Sequence, residues 1–166
     1  MTSKSVLRSL LLLVSICPTI AMSAPPAAVF FCAPVSESQW ASFVEEVNTK
    51  GKQVTDGVVK LPDDVRFDAL CLRDVTVMGS FGIMGVTGRS CSASEQEFVS
   101  ATESVLGIKS QPHPEPHVLA WFPLPNEKRE PGVLTIYRGE PSFLPKATGP
   151  STTVSFSCMR AVGGSQ

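Results

Sequence analysis

The sequence predicts an α+β domain, an antiparallel or mixed sheet with two helices on one face. Three observations carry this. Residues 67–91, FDALCLRDVTVMGSFGIMGVTGRSC, read as a β-hairpin. A capped helix signal precedes the hairpin and another follows it. Short apolar runs lie before the first helix and beyond the second. The order strand, helix, strand, strand, helix, strand is that of the split βαβ, or ferredoxin-like (βαββαβ), arrangement, and two C-terminal strands extend it.

The first expected element lies outside the fold. Lys4 and Arg8 give residues 1–23 a positive start, residues 10–16 are apolar, and Ala21-Met22-Ser23 puts small residues where a signal peptidase reads. This predicts a signal peptide over 1–23 and one domain over 24–166, cut before Ala24 so that Pro25 stays off the scissile bond. Cys17 follows the bulky Ile16, which argues against a lipid-anchored cysteine. The apolar run is too short to span a bilayer, so no stable membrane anchor is expected. The protein is expected to be exported, to a periplasm or the extracellular space. The absence of an N-x-S/T triplet leans toward the periplasm.

Residues 28–33, AVFFCA, form an apolar run that reads as a buried first strand. Ser36 and Gln39 make a capping box, with Val35 placed to staple onto Trp40. Trp40, Phe43, Val44 and Val47 share one helical face, and Gly51 follows the last turn, which predicts a helix over 37–50. On that stripe Trp40 reads as core. Residues 51–64 read as a connection with a short strand at Val58-Val59, closed by the turn signal Leu61-Pro62-Asp63-Asp64. The two aspartates read as a solvated turn rather than a cation site.

In the hairpin, Gly79-Ser80 suits a type II′ turn, because glycine takes positive φ without steric cost. Met78 then faces Phe81. The glycines at 82, 85 and 88 suit close packing or bulges rather than a phosphate loop. Ser92 and Ser94 offer N-caps with Glu95 and Glu97 three residues on. Phe98, Ala101, Thr102, Val105 and Leu106 continue the helix, and Gly107 ends it. Prolines at alternate positions exclude helix over 111–116. Strands follow at 117–122, 133–138 and 152–162.

Four cysteines remain beyond the leader: Cys32, Cys71, Cys91 and Cys158. An even number in an exported chain predicts two disulfides. With the turn at Gly79-Ser80, Cys71 and Cys91 fall three positions out of register. That is about 10 Å along a strand, beyond the roughly 7 Å reach of a bridge. The expected pairs are therefore Cys32–Cys91 and Cys71–Cys158.

The chain contains 14 basic and 15 acidic residues with no basic block, so nucleic acid is not an expected partner. No G-x-S-x-G elbow, CxxC pair or phosphate-binding loop occurs, and no metal or cofactor is expected. His113 and His117 flank Glu115 in the proline-rich stretch. As polyproline they would stand about 12 Å apart and could not share an ion. The expected function is thus protein binding, as an inhibitor, an immunity-type protein or an accessory subunit of an envelope complex. The expected contact patch is the hairpin tip: Met78 and Phe81 on one face, with Met84 on the other unless a bulge at Gly82 brings it round. All three side chains also suit a core. The competing reading is a small secreted hydrolase using carboxylates such as Asp68, or His113 and His117.

Overall fold

The structure, a computed structural model, describes residues 27–80, 82–91, 94–125, 132–142 and 154–161. The expected leader, Cys17 and Phe81 lie outside them. The fold is sheet-dominated α+β. In order it runs α1 (Ala27–Phe30), α2 (Glu37–Lys50), β1 (Lys52–Thr55), β2 (Val58–Lys60), β3 (Val65–Phe67), β4 (Leu70–Ser80), β5 (Ile83–Ser90), α3 (Glu95–Leu106), β6 (Val118–Leu124), β7 (Gly132–Arg138) and β8 (Val154–Ala161).

Both long helices start where local chemistry places them. The Ser36 hydroxyl accepts from the Gln39 backbone N–H, and the Gln39 side chain accepts from the Ser36 N–H. Ser94 and Glu97 repeat the box on α3. These contacts satisfy N–H groups that the first helical turn leaves without partners. Gly107 closes α3 at φ 66°, the left-handed cap that glycine takes most cheaply.

The expected first strand is a helical turn instead. The N–H groups of Phe31 and Cys32 bond back to Ala28 and Val29, and Cys32 turns the chain out at φ 56°. A short apolar run does not distinguish strand from buried helix by period, and packing decides here. Val29, Phe30 and Phe31 are all buried, and the two rings meet different partners. Phe30 meets Phe43 of α2 at 5.0 Å, while Phe31 meets Phe98 of α3 at 6.2 Å and Phe156 of β8 at 5.2 Å. A strand would have sent Phe30 to the opposite face from its neighbours.

The strands form one antiparallel sheet of eight, ordered β1-β2-β4-β5-β8-β7-β6, with β3 beside β4. Every pairing among the described residues is antiparallel. The α+β class holds, whereas the ferredoxin-like order is not seen: a helical turn rather than a strand precedes α2, and three short strands, β1 to β3, stand between α2 and β4. The helices pack on the face that carries Phe156.

The hairpin register is corrected too. Ser80 pairs with Ile83, so the turn falls after Ser80 rather than at Gly79-Ser80, with Gly82 at φ 76°, and Met78 faces Gly85. A bulge between Arg73 and Thr76, with Asp74 at φ 52°, then shifts the far end by one residue. Together these changes bring Cys71 opposite Cys91. The disulfides are Cys71–Cys91, with Cα atoms 5.3 Å apart, and Cys32–Cys158, at 5.8 Å. The expected pairs were wrong because they rested on the Gly79-Ser80 turn. No helix among the described residues is long and apolar enough to cross a membrane.

Candidate functional site

The sheet face away from the helices carries two kinds of surface. Side chains in one cross-strand row share a face. One such row runs Val58, Met78, Gly85, Met159, Val133, Pro123 through five adjoining strand pairs. Glycine at its centre leaves the methionines on either side room to lean inward. A Cβ on Gly85 would stand 3.2 Å from Met78 Cε and 3.8 Å from Met159 Cγ. Met78 is 37% exposed and Met159 53%.

The polar groups beside this row are engaged with one another. Lys60 Nζ donates to Asp74 Oδ1 at 2.6 Å. Arg89, its side chain only 4% exposed, donates to Glu140 at 2.9 Å and lies 3.5 Å from Asp74. Arg73 holds Asp64 through Nε at 3.0 Å and a terminal nitrogen at 2.8 Å, and its hydrogen bonding lowers the Asp64 pKa. A buried charge is tolerated when paired in this way. Among the described residues of the row, the exposed side chains are Met78 and Met159.

Of the expected patch, Met78 lies on this face. Met84 pairs with Gly79, points to the helix face and is 5% exposed, so strict alternation holds and the two methionines do not share a surface. Phe81 lies outside the described residues. Met159 was not anticipated. The alternation of β8, with Val154, Phe156 and Cys158 facing the core, contained the signal that Met159 faces away.

A concavity of about 500 Å³ lies on the helix side between α2 and the tip end of the β4–β5 hairpin. Trp40 and Val44 of α2 form one wall, and Val59, Val77 and Met84 form the other. Trp40 packs on Phe43 at 5.4 Å, as its stripe implied, while also lining this groove.

The histidine chemistry is confined to an exposed stretch. His113 Nδ1 accepts from the Glu115 backbone N–H at 3.3 Å, and His117 Nε2 lies 3.0 Å from the Glu115 carboxylate. The His117 ring stacks on Tyr137 at 6.1 Å. Both imidazoles thus contact Glu115 rather than an engaged nucleophile. Asp68 is exposed in the β3–β4 turn. Asp64, Cys71 and Cys91 bring an oxygen and two sulfurs together, but both sulfurs are in the disulfide and are not thiolate ligands. No protein-family model, curated protein or solved structure matches the chain.

Proposed function

We propose that this is an exported binding domain that engages another protein through the helix-free face of its sheet. One observation carries the reading: an apolar row crosses that face, with Met78 and Met159 exposed on either side of Gly85. Methionine is enriched at protein interfaces, and its unbranched thioether adapts to an irregular partner surface. The charges around the row are neutralised by one another, so a partner covering it would not leave them unpaired. The two disulfides and the positive, apolar start of the chain support export. An inhibitor, an immunity-type protein and an envelope-complex subunit are the forms of this function that fit a small rigid domain.

The test is capture of a stoichiometric partner from the organism's own envelope fraction by wild type and by Met78→Thr/Met159→Thr. Threonine keeps strand propensity while removing the thioethers. The double variant should melt like wild type and lose the partner wild type retains, because each hot-spot side chain is worth roughly 1–2 kcal/mol of binding. Equal capture by both proteins would rule out this face.

A further inference from the structure

We propose that the groove between α2 and the hairpin end binds a single-chain fatty acid, its alkyl tail along Trp40 and Val77 and its carboxylate on Arg160. The volume, about 500 Å³, lies in the range of small-molecule sites. Its lining contains no charged side chain, and Asn48 is its one polar side chain. That chemistry suits an alkyl chain and penalises any group needing a buried partner.

The backbone keeps the groove open. Gly79 lines it from the strand position opposite Met84, and a Cβ there would have no heavy atom within 4 Å. A side chain would fit at Gly79, yet none occupies the space. Val44, 40% exposed, and Ile83, 52% exposed, stand at the rim, so a chain enters from the side without moving a strand.

Arg160 makes the occupant an acid. It is the register partner of Met84, a lining residue, on the same face, and so stands one strand beyond the lining. One terminal nitrogen donates to the Ala33 carbonyl at 2.9 Å. The other described arginines, Arg66, Arg73, Arg89 and Arg138, each meet a carboxylate. Among the described residues Arg160 has none, and its fork retains donors matched to the two oxygens of a carboxylate.

The experiment uses Trp40 fluorescence in a Trp121→Phe background, which removes the second of the two tryptophans. Hexanoate, octanoate, decanoate and dodecanoate are titrated below their micelle concentrations, with dodecanol as the uncharged control. Affinity should rise roughly fourfold per methylene until the groove is filled. Gly79→Leu should abolish binding by filling the space. Val44→Glu, a change at an exposed helix position, should do the same by placing a carboxylate on the wall, which keeps the test independent of how Gly79→Leu folds. Arg160→Gln should weaken dodecanoate about tenfold or more and leave dodecanol unchanged. Absence of a saturable response, a flat chain-length series, or equal wild-type affinity for acid and alcohol would each overturn the proposal. Binding seen only after removal of residues 162–166 would do so as well, by making the protein's own tail the occupant.

Discussion

Gly88 and Gly85 are two residues of β5 whose replacement by alanine should have opposite consequences. Gly88 pairs with Phe156 on the helix face. A Cβ there would stand 2.8 Å from Phe156 Cε1 and 3.0 Å from Cζ. The ring cannot yield easily, because it is fully buried and packed by Phe31 at 5.2 Å and Phe98 at 6.2 Å. Overpacking of this kind costs about 1–3 kcal/mol. Alanine returns about 0.5–1 kcal/mol through the reduced freedom of the unfolded chain. Gly88→Ala should therefore lose roughly 1–2 kcal/mol, or about 3–8 °C in a domain of this size. At Gly85 the nearest atom is the far end of Met78, 3.2 Å away on an exposed side chain that can swing aside. Gly85→Ala should be neutral or gain up to about 0.5 kcal/mol. Urea and thermal unfolding of both variants decide the matter. A Gly88→Ala protein as stable as wild type, or a Gly85→Ala protein that loses as much as Gly88→Ala, would show that the assignment of the two sheet faces is wrong.

The disulfides should differ in weight. Cys32–Cys158 spans 126 residues and Cys71–Cys91 spans 20, so loop entropy assigns them about 5 and about 3 kcal/mol. Replacing each pair by alanine and comparing urea midpoints tests this, and a larger loss from the Cys71–Cys91 pair would refute it. Lys109, with the Ser110 N–H and hydroxyl, holds the Glu103 carboxyl down to about 2 from an ordinary value near 4.5. A depressed folded-state pKa stabilises the fold above the unfolded value and ceases to do so as pH falls through the folded one. Glu103→Gln should accordingly melt below wild type at pH 7, with the two curves converging near pH 2. A gap that persists at pH 2 would mean that packing, not charge, accounts for the difference.

Much of the fold was legible in local signals, and the errors share one physical cause. Ser36/Gln39 and Ser94/Glu97 placed both long helices because a capping box satisfies its donors within four residues. Gly79-Ser80 and Phe81-Gly82 both put a glycine in a possible two-residue turn, and nothing within the hairpin ranks them. The β1–β2 turn does: the Gly79 N–H bonds to Gly57 O at 2.8 Å, extending β4 past the first glycine. The bulge at Asp74 is likewise held from outside the hairpin, by Lys60 of β2. Disulfide pairing inherits both decisions, so a local misreading at residues 79–82 and 74 became a wrong covalent map. α1 fails for the same reason, since its apolar run is helical only because Phe43, Phe98 and Phe156 wait on different sides of it.

The candidate surfaces follow this division. Alternation alone assigns Met78 and Met84 to opposite faces, and the structure keeps them there. What no single stretch contains is which residues become neighbours. Met159 joins Met78 only because β8 lies against β5, and Arg160 comes to stand beside the groove-lining Met84 by that same pairing. One strand pairing thus creates both surfaces, apolar on one face and apolar with a cation on the other. The successive residues Met159 and Arg160 serve opposite sides of the sheet because side chains alternate along a strand. The two surfaces can therefore be altered separately: substitutions at Met159 should leave fatty-acid binding intact, and substitutions at Arg160 should leave partner capture intact.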